Sequence, residues 1–199
     1  MEFLPALDLL STLVFALVGA RVAADKGLDY GGIAFIAAVA SVSGGTLRNV
    51  FLGLKPVWID DPLITISVLS AVVITLVFRR VTRIGKTLLV MDTFGLAVAT
   101  ISGSHLAFKE NVSWWAAIIL GLITAVTGGL LRDVLCQVEP VLLHRETIGT
   151  SSLMGAITFV ALHQLDVSQI CSRQIHVLTK MDDHRLTIQQ LLLPHLQNE

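Results

Sequence analysis

The sequence predicts an all-α membrane protein built from two inverted three-helix repeats, with helices 2 and 5 interrupted at Gly-Gly. Three observations point there. Charged residues make up only 15% of the 199 and apolar ones 54%. A soluble domain carries about 25% charged residues, so this chain lacks the polar surface to face water all round. Six apolar runs approach the about 20 residues that cross a bilayer as a helix. Finally, Gly44-Gly45-Thr46-Leu47-Arg48-Asn49 returns 84 residues later as Gly128-Gly129-Leu130-Leu131-Arg132-Asp133.

The first run extends from about Leu4 to Ala24, with Asp8 near its start and Arg21 near its end. No Lys or Arg precedes it, unlike the basic start of a cleavable signal peptide, so it is expected to be retained. The second, from Gly31 to about Leu54, carries the first glycine pair; the third, Pro62 to Phe78, is free of charge and stopped by Arg79-Arg80. The fourth is about Thr87 to Phe108, with Asp92 near its start, and the fifth, Val112 to about Cys136, carries the second glycine pair. The sixth, about Thr147 to His163, is the shortest. None alternates polar and apolar residues as barrel strands do, so helices are expected.

Short connections make residues 1–163 one transmembrane domain, with repeat 1 at about 6–80 and repeat 2 at about 87–163. Residues 164–199 form a polar tail without an 18-residue apolar run. A degenerate seventh helix, a short amphipathic helix around Leu186–Leu193 and disorder are all open for it. Arg79, Arg80, Arg83 and Lys86 follow the third span, and Lys26 and Arg145 fall on the same side; Lys55 and Lys109 fall opposite. The positive-inside rule then puts loop 79–87 in the cytoplasm and the N-terminus outside.

Sliding the chain by 84 residues aligns 8–57 with 92–141 without a gap, and twelve of the fifty positions are identical. Matched Asp, Gly, Gly-Gly, Arg and Pro in register mark a duplication. Three spans per copy is an odd number, so the copies must sit upside down relative to each other, a design used for solute and ion pathways. A glycine pair loosens a helix, and an arginine at membrane depth costs roughly 2.5–3.5 kcal/mol on insertion scales. Both features, occurring twice, suggest a flexible, wet seam. The alternative is close helix packing through small residues, with the arginines snorkelling to the interface.

Inversion also suggests partners: Asp8 with Arg48 toward the outer mouth and Asp92 with Arg132 toward the inner one. Either pair could lock two helices or serve a gate. Asn49 and Asp133 follow the arginines and could offer oxygens to a cation or cap a helix end. Ser41, Ser43, Thr124 and Thr127 precede the glycine pairs; their hydroxyls could line a pore or bond back to their own helix. His105 stands near a span end, and Trp58, Trp114 and Trp115 flank apolar runs as interface aromatics do. Cys136 and Cys171 read as ordinary thiols. No phosphate loop, HExxH, nucleophile elbow or metal cluster is present, so neither an enzyme nor a cofactor or metal is expected. A formal net charge of −1 gives no argument for nucleic acid.

The duplicated Asp-x10-Gly … Gly-Gly-x-x-Arg-Asp/Asn … Pro pattern resembles the trimeric intracellular cation (TRIC) channels. It is most similar to their bacterial branch, also known as glycine-transporter-domain membrane proteins. The resemblance covers about residues 6–163. It implies a homotrimer in a bacterial inner membrane, with a pore in each protomer beside the glycine-broken helices. Matched to the motif, Gly44, Gly45, Arg48 and Asn49, and Gly128, Gly129, Arg132 and Asp133, would line the ion pathway. Thr46 and Leu130 stand where a third glycine is common, and Asn49 where the first repeat usually has aspartate. The family's seventh helix has no clear counterpart in 164–199. The function implied is conduction of monovalent cations, chiefly potassium. The alternative is secondary transport of a small amino acid such as glycine. The implied partners are membrane lipid, the permeating solute and further copies of the chain.

Overall fold

The computed structural model describes residues 3–78, 85–139, 153–158 and 160–161. Its helices are α1 (Phe3–Asp25), α2 (Tyr30–Phe51), the single turn α3 (Val57–Asp60), α4 (Pro62–Val77), α5 (Gly85–Lys109) and α6 (Trp114–Leu135). Residues 153–158 are also helical. The helices α1, α2, α5 and α6 each hold a segment long and apolar enough to cross a membrane, and α4 is a shorter apolar helix. The basic loop at 79–84, most of the sixth expected span and the tail 164–199, with its question of a seventh helix, lie outside the described residues.

Local chemistry sets the helix ends. The Asp29 carboxylate accepts the Gly32 amide proton at 2.7 Å and caps α2, filling one of the donor positions that a helix start leaves open. Asp61 does the same for α4 through Leu63 at 2.9 Å, with Pro62 in the first turn, where its missing N–H costs nothing. The C-terminal ends of α1 and α2 turn through left-handed Gly27 (φ 78°) and Gly53 (φ 69°). Those of α5 and α6 turn through Asn111 (φ 57°) and Gln137 (φ 52°), at the same 84-residue offset. Each left-handed residue is followed by an amide that reaches back into the last helical turn: Leu28 to Ala23, Leu54 to Asn49, Val112 to Ala107 and Val138 to Asp133. This is the Schellman closure. The duplication read in side chains is therefore also present in the backbone.

Small residues bring the helices together. Ala16, Ala20 and Ala23 of α1 pack with Ile33 and Ala37 of α2, and with Val68 and Ala71 of α4. Phe15, Leu96, Ala99 and Ala125 join α1, α5 and α6. A third group, Ala107, Ala117, Leu120 and Val160, ties α5 and α6 to the segment after residue 153. Large side chains point the other way: Leu63, Ile66, Leu69, Val73 and Val77 of α4 are all exposed. Small residues inside and large apolar ones outside is the pattern expected where the solvent is acyl chain.

The crossings reveal relative direction. Gly95 of α5 sits on Val14 and Phe15 of α1, while Ser102, further along α5, reaches back to Asp8. The two helices therefore run oppositely. Gly44 meets Thr124, and Gly128 meets Ala40, so α2 and α6 also cross in opposite senses. At one end of the molecule Arg21 donates to Phe78 O and Lys26 to Gln137 O, both at 3.3 Å. Cations thus close the carbonyl ends of α4 and α6.

The expected interruption at Gly-Gly is not found: α2 and α6 run unbroken through Gly44-Gly45 and Gly128-Gly129. The glycines serve contact instead. A Cβ on Gly44 would overlap the Thr124 carbonyl oxygen, and one on Gly128 the Ala40 carbonyl oxygen. Without a side chain there, each carbonyl can approach the glycine closely, as small residues allow where helices cross. Packing through small residues is what this pair of positions does.

Candidate functional site

Both arginines lie inside the bundle. Arg48 is 1% exposed and its side chain is almost fully bonded. Its Nη1 and Nη2 donate to the two Asp8 carboxylate oxygens at 3.0 and 3.1 Å, a bidentate fork. Nη1 also donates to Ser102 Oγ at 3.2 Å, and Nε to Asn49 Oδ1 at 3.0 Å. The Ser102 hydroxyl in turn donates to Asp8, and Asn49 Nδ2 donates to the Lys55 carbonyl at 2.6 Å. Arg132 repeats the scheme: Nη1 and Nη2 donate to Asp92 at 2.7 and 3.4 Å, and Nε to Asp133 Oδ1 at 2.8 Å. An ion pair taken out of water is tolerable only with such complete pairing. Asn49 and Asp133 spend an oxygen on the neighbouring arginine and fix its rotamer.

Beside the first pair lies a cavity of about 40 Å³, lined by Asp8, Ser11, Thr12, Ser41, Thr46, Arg48 and Thr124 among apolar neighbours. That volume has room for roughly three waters. Its floor is the α2–α6 crossing, where Ala40, Gly44 and Thr124 line it. Its hydroxyls are oriented. Ser11 donates to Asp8 O at 3.0 Å, Ser41 to Ala38 O at 3.0 Å, Thr46 to Val42 O at 2.7 Å and Thr124 to Leu120 O at 2.6 Å. With their protons directed to helix carbonyls, these groups keep lone pairs for other partners, and Thr46 spends one on the Trp58 indole N–H. Arg48, its charge matched by Asp8, offers little attraction to an anion. The lining is thus rich in acceptors, which suits a cation.

The structure thus brings Asp8, Gly44, Gly45 and Arg48 to one cavity and places Asn49 behind it, clamped to Lys55. Asp92, Gly128, Gly129, Arg132 and Asp133 gather around the second arginine and the other side of the crossing. Among the described residues no group of His, Cys, Asp and Glu is arranged for a metal ion. Cys136, at the end of α6, is buried.

Sequence reasoning missed two participants. Ser102 lies 94 residues from Asp8 and its repeat counterpart is Val18, so neither the motif nor the internal alignment marks it. Trp58 donates its indole N–H to Thr46 Oγ1 at 3.1 Å and lines the cavity, although its position suggested only an interface aromatic.

Comparison with known proteins agrees with this geometry. A family model described as "Glycine transporter" matches the chain twice, at residues 5–80 and 89–164. The UPF0126 inner membrane protein YadS of Escherichia coli (strain K12) is 37% identical over 155 residues, 76% of this chain and 74% of that protein. A UPF0126 membrane protein of Deinococcus radiodurans is 30% identical over 159 residues, 78% of this chain and 74% of that one. Among solved structures, the TRIC trimeric intracellular cation channel orthologue from Rhodobacter sphaeroides superposes with a TM-score of 0.79 at 34% identity, covering 83% of this chain and 86% of its own. A TRIC cation channel studied for its conductance gives 0.69 at 32% identity, covering 86% and 87%. With both halves matched, the chain belongs to the glycine-transporter-domain family of membrane proteins, which holds the UPF0126 proteins and the TRIC channels.

Proposed function

We propose that this protein conducts monovalent cations, chiefly potassium, through a path inside each protomer of a homotrimer. The observation that carries the reading is the acceptor-lined cavity, whose one arginine is neutralised by Asp8. A low-dielectric wall with oxygen lone pairs favours a partly dehydrated cation and disfavours an anion. The pathway residues are Gly44, Gly45, Arg48 and Asn49 in one half and Gly128, Gly129, Arg132 and Asp133 in the other, with Asp8 and Asp92 as intramembrane counter-ions. Relatives of known fold are trimeric cation channels by their descriptions, which supports both the activity and the assembly.

In this reading residues 1–163 are six spans in two inverted repeats, about 6–80 and 87–163. Support comes from the double family match, the left-handed helix ends at one offset and the opposed crossings of α1 with α5 and of α2 with α6. The Arg21 and Lys26 contacts join the connections after α1, α4 and α6 on one face. That face is cytoplasmic in the proposal, with the N-terminus outside and the bacterial inner membrane as the site. Lipid surrounds the trimer in this reading.

The test is planar-bilayer recording of the purified protein in potassium gradients. Unitary currents that reverse near the potassium potential are expected. Silence in the bilayer together with saturable glycine uptake by vesicles would replace the channel with a carrier.

A further inference from the structure

The cavity beside Asp8 and Arg48 is edged by a short strap carrying a tryptophan. After α2 the chain turns at Gly53 and forms the single turn α3, from which Trp58 and Val57 line the cavity. Both ends of this strap are tied. At one end Asn49 holds it through Leu54 N and Lys55 O at 2.8 and 2.6 Å. At the other, Asp61 caps α4 and leads into Pro62. Between these anchors the indole is fastened by its N–H to Thr46 Oγ1, and Thr46 is itself bonded to Val42 O. Trp58 is 45% exposed, whereas Ser11, Thr12 and Ser41, which line the same cavity, are each 8% exposed or less. The indole therefore stands at the outer edge of the cavity and the hydroxyls deeper in it. At the corresponding positions of the second half stand Leu130 and Leu142, whose side chains have neither hydroxyl nor N–H.

Resting on the proposed cation pathway, we infer that Trp58 is a hinged lid over this mouth, latched by its hydrogen bond to Thr46 and released when that bond breaks. The latch is one neutral hydrogen bond at an exposed site, so it holds the closed state by a modest margin. Losing it shifts the open population by about two- to tenfold. A bond of this strength suits a cover that must move, and the anchors at Asn49 and Asp61 confine the movement to the turn between them.

Thiol access tests the lid without relying on transport. In a Cys136→Ser, Cys171→Ser background, Ser41→Cys places a reporter in the cavity, and its rate of reaction with a small charged methanethiosulfonate is measured in liposomes. Thr46→Val, which keeps the shape and removes the acceptor, is expected to raise that rate by about two- to tenfold. Trp58→Ala should raise it further, and Trp58→Phe should resemble Thr46→Val. Thr12→Cys serves as the reporter if Ser41→Cys does not fold. Unchanged rates in all three variants would overturn the lid and leave Trp58 as an interface aromatic. Faster labelling in a protein that passes no potassium current upholds the lid and sinks the conduction reading; faster labelling with larger currents upholds both.

Discussion

Substituting the two glycines of one pair separately should have opposite effects. An alanine at Gly44 would drive its Cβ into the Thr124 carbonyl oxygen of α6, whereas at Gly45 the nearest atom is Arg48 Nη2 at 3.9 Å, ordinary contact. The neighbour at Gly44 is backbone, so relief requires α2 and α6 to separate. Overpacking of this kind costs about 1–3 kcal/mol. Alanine in place of a helical glycine returns about 0.8–1.0 kcal/mol of propensity, which offsets only part of the clash at Gly44. At Gly45 the propensity gain stands alone. The two isomeric variants should therefore differ by about 1–3 kcal/mol, or roughly 2–12 °C in midpoint for a chain of this size. Gly128→Ala and Gly129→Ala should behave likewise, since Gly128 meets the Ala40 carbonyl while Gly129 has Arg132 Nη2 at 3.7 Å. Thermal unfolding of detergent-purified protein, followed by size-exclusion or dye binding, reads the order directly. If Gly45→Ala melts as low as Gly44→Ala, or Gly44→Ala melts with the wild type, the crossing is not what these glycines are for.

Three further outcomes are expected. Asp8→Asn leaves Arg48 buried beside a neutral amide and should lower stability by about 3–5 kcal/mol; the apolar pair Asp8→Leu, Arg48→Met should recover much of it, so measuring flux in that double variant separates a structural lock from a working pathway. Ser102→Ala removes a donor from Asp8 and an acceptor from Arg48 and should cost about 1–3 kcal/mol by the same melting assay. Cys136 is buried at the end of α6, which shields its thiol from reagents. Alkylation by iodoacetamide should be slow in the folded protein and should become fast on denaturation.

Much of the architecture was legible because the duplication left its mark in residues that apolar drift does not reproduce. Asp8 and Asp92, and Arg48 and Arg132, stand at equal offset, and their costly charges in apolar runs implied the pairing that the structure displays. The glycine pairs were read as breaks because propensity is a property of one helix, whereas the Thr124 and Ala40 carbonyls that select glycine belong to another. Ser102 was invisible for a similar reason: its role exists only where α5 passes Asp8, and serine in an apolar helix is common enough to carry no signal. The Trp58–Thr46 bond depends on a turn whose geometry is set by Gly53 and the Asn49 clamp, neither of which has a matching residue type in the other half.

Each charge pair is contained within one helical hairpin: Asp8 and Arg48 in α1–α2, Asp92 and Arg132 in α5–α6. That has a consequence for biogenesis. A helix leaving the translocon with a lone carboxylate or guanidinium meets a barrier of about 2.5–3.5 kcal/mol, but a hairpin that has already joined the two keeps each arginine paired away from lipid, with Asp133 as a second partner of Arg132 in the later hairpin. Each half can thus partition sideways into the bilayer as soon as its own second strand of the hairpin emerges, and the contact from Ser102 to Asp8 is made afterwards, when the finished halves meet.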